Sequence, residues 1–578
     1  MNKIVLNILL FALAAICAGG CKKMRPDEWK DNRSVTKNRA VSTVRIVNLG
    51  DYYQVIANGD SLTNFELLDG QTEVIKYKGT DYFPENGRLG SIWQVPQDLF
   101  RADGTAALRF GNIGVTGSLG APEFVVKDDY KRPMDYYLLP EQIEGQPAYV
   151  AVERGVTQPS KPDYFKIRVL NLCAKAKYPI AAERGPLENL VGPVTLTYAD
   201  GTPVGPATSN ITLEQRLSDY VELPYGTYQF RILTPDGRQV PGGAPANPID
   251  KLIDPPTSTI AFNDQGNIAS SRLTFAPVNT YQPGGVYTIV ITPYNFSFHA
   301  SASEEQSGAY QNGFRIITDV SPAVNTTYFR IQGVNALPGS GDLRFRANGQ
   351  DLASGVPYGQ ASDYSRLVQD RYTIEAADAS GKTLASVQQL LRPGQNYTAW
   401  LYPDQQGAAK LVLVANDLSG QFESTTNGPV YPDDNSLGYV KYDFMFDKRF
   451  LNLSPDNPYI SFTLDNGQLA VNKGATVNLQ PGIAVTEQPY SSGAVFGYRP
   501  FQIMAYRSSP TVVPGAWADD IPVLKSSAFV ALPGLYEAAG RDVPAQEPGV
   551  YTVALIGRTG NGISQPDKAK LILVKHNR

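Results

Sequence analysis

The sequence predicts an all-β fold of repeated antiparallel sandwich modules, and three observations predict it. First, the stretch from Asp342 to Pro403 alternates apolar and polar side chains in short runs (LRFRA, RYTIEAA, NYTAWLY) cut by Gly, Pro and Asn-Gly turns. That period-two pattern marks half-buried strands. Second, 33 Tyr, 52 Gly and 43 Pro against 5 Met favour strands and turns over helices. Third, no long stretch keeps apolar residues at i, i+3, i+4 and i+7. A hydrophobic fraction of 42% is enough for real cores, and a prior of about 150 residues per domain suggests roughly four domains.

In chain order, residues 1–21 read MNKIVLNILLFALAAICAGGC. Lys3 precedes an apolar run from Ile4 to Ile16, which is short for a membrane span, and Ala18, Gly19 and Gly20 lead into Cys21. Residues 1–20 are therefore expected to be a signal peptide. The small residues followed by Cys21 resemble the bacterial lipobox, which implies cleavage before Cys21 and acylation of its thiol. Cys17 is a poorer candidate because bulky Ile16 precedes it, and the alternative is an ordinary signal peptide with an incidental cysteine. Residues 21–41 are charged and aperiodic, a solvated tether. Lys22 rather than Asp follows Cys21, which by the same resemblance argues against inner-membrane retention. The expected address is the cell envelope, anchored in the outer membrane through acylated Cys21, with the cell surface favoured over the periplasmic side.

Four similar openings follow: VRIVNL (44–49), KIRVLNL (166–172), FRIQGVNAL (329–337) and KRFLNLS (448–454). Asn48, Asn171, Asn335 and Asn452 each end an apolar strand, where an Asn side chain suits a turn; a functional role for them is the alternative. Second strands with Asn-Gly or Asp-Gly turns recur (VIANGD, VTLTYADGTP, LRFRANGQDL, ISFTLDNGQL), making Asp60, Asp200 and Asp351 turn residues first. Each module closes on Gly, a short gap, Tyr and an apolar run: 145–152, 284–291, 394–401 and 549–556. This divides the chain into modules at 42–153, 165–292, 328–416 and 439–578. The first and last carry insertions at about 65–135 and 470–545, where a module-specific role is expected. Polar, Pro-, Gly- or Ser-rich linkers at 153–164, 293–327 and 417–438 would string the modules like beads.

The run ANGQDLASGVPYGQASDY, followed by RYTI and the PGQNYTA closing, resembles an immunoglobulin-like repeat family of bacterial secreted proteins that is catalogued as a domain of unknown function. The family occurs in tandem on lipoproteins of Bacteroidota-type bacteria. The resemblance is strong across 329–415, fair across 166–292 and weak in the outer modules. It implies small antiparallel immunoglobulin-like sandwiches and a cell-envelope location, and it brings no catalytic residues.

A net charge of −4 with scattered Lys and Arg argues against nucleic-acid partners. There are two histidines: His299 falls in a linker and His576 near the C-terminus, and neither position promises a packed catalytic imidazole. Cys173 reads as a small core residue rather than a nucleophile. No cofactor motif is found, and Asp433-Asp434-Asn435 lacks the ligand spacing of a calcium loop and reads as a turn. Asp128-Asp129 and Asp519-Asp520 could serve as paired carboxylates, but solvated loops are the default. The one constellation weighed for binding is Trp400 and Tyr402, on one face of the third closing strand. Exposed, they would form a platform for a sugar ring; otherwise Trp400 packs under an insertion or a neighbouring module. The leading reading is a non-enzymatic, membrane-anchored display, adhesion or structural protein, with an envelope protein as possible partner. The alternative is a glycan-binding accessory of an outer-membrane uptake system. A hydrolase with its site in 470–545 is the third class.

Overall fold

The computed structural model describes residues 39–418 and 446–578, apart from 51, 68–74, 85, 112–121, 142, 177–189, 243–250, 255–258, 265–266, 270–275, 299–306, 324, 471, 492–499, 539–542 and 544. Cys21 with the signal peptide, most of the tether, His299 and Asp433-Asp434-Asn435 lie outside the described residues. The described chain is almost entirely β, with one five-residue α-helix at Gly534–Ala538 and a few 3-10 turns. Among the described residues no helix is long and apolar enough to cross a membrane.

The same strand scheme recurs four times. In the third segment the opening strand Tyr328–Asn335 lies between Ser365–Val368 and the closing strand Gln395–Pro403, with Ala409–Asp417 beyond. Facing it is a sheet of Gln350–Val356, Leu343–Ala347, Asp370–Ala377 and Thr383–Leu391. The inward residues of both sheets, among them Phe329, Ile331, Phe345, Ile374, Ala399 and Leu401, form one core. Alternation accounts for this directly: Leu343, Phe345 and Ala347 point in while Arg344 and Arg346 point out. The Asn-Gly turn works as expected, with Asn348 and Gly349 both at positive φ (48° and 79°).

Pairing departs from the antiparallel expectation at one place in every segment. The opening strand runs parallel to its neighbour: Val41–Asn48 to Met134–Leu138, Tyr164–Asn171 to Val286–Phe298, Tyr328–Asn335 to Gln395–Pro403, and Phe446–Asn452 to Gly549–Ile556. The chain builds the facing sheet between these two strands, supplying the long crossover that a parallel pair needs. Alternation of period two is the same for both pairings, so the sequence pattern did not distinguish them.

Three further expectations are corrected. The run 145–152 forms not the closing strand but the sheet's outermost one, Tyr149–Glu153, antiparallel to Met134–Leu138. The supposed insertions contain strands of the sheets themselves, such as Thr105–Gly111, Glu123–Lys127, Gln502–Ser509 and Val512–Trp517. The expected linker 293–327 is largely a β-ribbon, with Val286–Phe298 paired to Ser307–Val320 out to Phe298 and Ser307.

The chain forms two compact units. The first segment makes one; the second, third and fourth segments make the other. Those three are not beads on a string. The outer faces of the third and fourth parallel-pair sheets share an apolar layer of Val334, Trp400, Val414, Leu451, Leu453 and Ile556. Arg231 of the second segment pairs with Glu547 of the fourth at 2.7 Å, and Arg366 of the third pairs at 2.6 Å with Asp163, the residue that leads into the second opening strand.

Candidate functional site

The four strand-ending asparagines bond nearby backbone, as the turn role expects, and are also buried clamps. Asn335 Nδ2 donates to the carbonyls of Gly341 (2.9 Å) and Val356 (3.1 Å), and its Oδ1 accepts from the N–H of Leu337 (3.1 Å). Asn171 holds Gly192, Ile211 and Cys173 in the same way, and Asn452 holds Asn457, Leu479 and Ser454. Asn48 clamps Tyr52 from both sides and reaches Gly90. Ile211, Val356 and Leu479 bring in backbone from across the segment, so each amide ties the end of the opening strand to chain far along the sequence. Their burial, at most 5% exposed, makes them fold-determining.

Three residues before each asparagine stands a polar side chain on the outer face, in register with a polar group of the parallel partner strand. The four pairs are Arg45 with Asp135, Arg168 with Thr288, Gln332 with Thr398 and Arg449 with Thr552, all buried. In the first segment Arg45 grips Asp135 through Nε (2.9 Å) and Nη2 (2.5 Å), and Arg154 joins at 3.3 Å. In the second, Arg168 donates to Thr288 Oγ1 at 2.9 Å and lies over the Tyr220 ring, whose hydroxyl donates to Asp319. The spacing to the asparagine was visible in the sequence; its meaning needed the partner strand.

The third and fourth pairs meet at His576, which is 2% exposed. Its Nε2 lies 2.7 Å from Thr552 Oγ1, and its Nδ1 lies 2.8 Å from the Tyr364 hydroxyl and 3.4 Å from Gln332 Nε2. The amide N–H of Gln332 facing Nδ1 favours the neutral tautomer with the proton on Nε2, toward Thr552 Oγ1. Burial, with Arg449 and Arg330 nearby, pushes its pKa down to about 3. The expectation that neither histidine is held by packing fails here. The imidazole is held firmly, but buried and neutral it joins two segments and has no access to a substrate. Lys448, likewise buried, lies over the Phe446 ring at 3.8 Å, and burial brings its amine down to about 7.

The Trp400 and Tyr402 platform is overturned. Trp400 is 0% exposed, packed against Leu451, Leu453 and Ile556 of the fourth segment, and Tyr402 is half-buried with its hydroxyl against Gly482. The second of the two expected placements, under a neighbouring module, is the one found. Cys173 is fully buried, with burial raising its thiol pKa and Sγ accepting from Gly192 N–H at 3.3 Å. Of the paired carboxylates, Asp128, Asp129 and Asp520 have structural partners. Asp128 accepts from the N–H and hydroxyl of Thr43, Asp129 from Lys131 N–H, and Asp520 pairs with Arg507 at 2.8 Å. Among the described residues no three His, Cys, Asp or Glu side chains stand together to hold a metal ion.

Comparison with known proteins adds one family. Residues 329–426 match a domain of unknown function, DUF4397. This covers the third segment. No curated protein matches. A solved structure titled "The Bacillus anthracis TIE protein" matches at 9% identity over 62% of this chain and 50% of that one, with a TM-score of 0.10. The aligned part therefore spans half of that protein's length, and so low a score supports no argument about fold or role.

Proposed function

We propose that this chain is a membrane-anchored lipoprotein of the cell envelope, held in the outer membrane by acylated Cys21, with four variants of one immunoglobulin-like sandwich acting as a non-enzymatic display, adhesion or structural element. The observation that carries the reading is the welding of three segments into one unit through the buried Arg231–Glu547 pair and the Trp400 layer. A stiff multi-segment body suits spacing and presentation. The polar groups most suggestive of chemistry, His576, Cys173 and Asp128, are committed to internal contacts. The run Ala18-Gly19-Gly20-Cys21 supports the anchor. The glycan-binding alternative has lost the residue it rested on, since Trp400 offers no exposed ring.

Protease treatment of intact cells tests the surface-facing reading. Loss of the full-length chain without lysis is expected. Full protection in intact cells, with cleavage only after the outer membrane is opened, would place the protein in the periplasm and remove adhesion.

A further inference from the structure

The residues that follow the strand Lys570–Lys575 touch all three segments of the larger unit. His576 N–H donates to the Val550 carbonyl at 2.8 Å, and Asn577 Oδ1 accepts from Val550 N–H at 3.0 Å, which holds the tail to the fourth segment. The His576 ring meets Tyr364 and Gln332 of the third. Arg578 reaches the second: its N–H donates to the Thr227 carbonyl at 3.0 Å, and its backbone oxygen accepts from Gln229 N–H at 2.8 Å. Its guanidinium lies 4.7 Å from the Tyr198 ring centroid, and Lys575 Nζ donates to Gln229 Oε1 at 3.2 Å.

The two main-chain bonds of Arg578 flank one residue of the strand Gly226–Gln229, as ladder bonds do. On its other side that strand pairs with Val278–Tyr281, so Arg578 extends a two-stranded sheet by one more position. Without Arg578 the N–H of Gln229 and the carbonyl of Thr227 would form an open sheet edge. Burial along the tail is graded. His576 and Asn577 are 2% and 5% exposed, whereas Arg578 is exposed. Its outer end is therefore free to come away while the histidine stays seated.

We propose that residues 576–578 are a strap that closes the edge of Gly226–Gln229, fastens the second segment to the third and fourth, and peels from Arg578 inward. The Arg231–Glu547 and Arg366–Asp163 pairs hold the second segment elsewhere, so a peeled strap opens this edge without separating the segments. The strap rests on the reading of the three segments as one stiff body. Local exchange at Gly226–Gln229 tests the strap, and the coupling of Arg231 to Glu547 tests the body, so the two fail separately.

Hydrogen exchange read by mass spectrometry on the detergent-solubilised chain tests the strap. The wild type is compared with a chain lacking Arg578, a chain lacking residues 576–578, and Arg578→Ala. Removing Arg578 is expected to abolish protection in peptides spanning Gly226–Gln229 and to leave peptides containing Tyr364 and Thr552 protected. Removing all three residues is expected to lower protection in all of these peptides. Arg578→Ala keeps the main-chain bonds and is expected to keep Gly226–Gln229 protected. Should the chain lacking residues 576–578 not fold, the chain lacking Arg578 and Arg578→Ala carry the test. Unchanged protection of Gly226–Gln229 without Arg578, or its loss in Arg578→Ala, would overturn the proposal.

Discussion

Arg231 and Glu547 stand 316 positions apart and meet at 2.7 Å, with side chains 1% and 0% exposed. The carboxylate is saturated: Oε1 also accepts from the Tyr536 hydroxyl at 2.7 Å, and Oε2 accepts from Ala531 N–H at 2.9 Å. Breaking such a pair strands a buried charge, whereas replacing both partners with apolar groups does not. Arg231→Met or Glu547→Leu alone is expected to destabilise the three-segment unit by about 3–5 kcal/mol, and the double variant to recover most of the loss. Urea unfolding of the four proteins reads this as a coupling energy.

The asparagine clamps predict an order of severity. Asn335→Ala or Asn452→Ala leaves buried backbone groups unsatisfied, at about 1–3 kcal/mol for each stranded group. Asn335→Asp is expected to be worse at neutral pH, because a carboxylate would face the carbonyls of Gly341 and Val356 that now accept from the amide. Denaturant midpoints of the three variants check the ranking.

Trp400 fills the layer between the third and fourth segments. Trp400→Ala is expected to cost about 3–5 kcal/mol through the cavity it leaves. Trp400→Phe should cost less, since the indole Nε1 makes no hydrogen bond that would be lost. Thermal unfolding distinguishes this from a binding role, in which Trp400→Ala would leave stability unchanged.

His576 makes stability depend on pH in a stated direction. Burial depresses its pKa from 6.5 to about 3 in the folded chain. Between those values the unfolded state binds more protons, so stability is full above 6.5 and falls as pH drops toward about 3. His576→Gln removes this component. Urea midpoints at neutral pH and near pH 4 are expected to fall less in the variant than in the wild type.

Much of the strand content was legible in the sequence because alternation and turn chemistry are local. The LRFRA strand and the Asn348-Gly349 turn followed directly from residues adjacent in the chain. What was missed depends on partners remote in sequence. The parallel neighbour of each opening strand and the Arg231–Glu547 contact have no local signature. His576 looked like a loose end because its three partners, Gln332, Tyr364 and Thr552, come from three separate strands or loops. The polar residue three positions before each asparagine was the one recurring signal left unread. On an apolar strand such a residue needs a buried partner, and that partner sits across a parallel ladder.

The anchor is the account's central claim, and metabolic palmitate labelling of cells producing the full chain tests it most directly. Label in the wild-type protein and none in Cys21→Ala is the predicted result. Equal label in Cys21→Ala, or an unlabelled wild type, would contradict it.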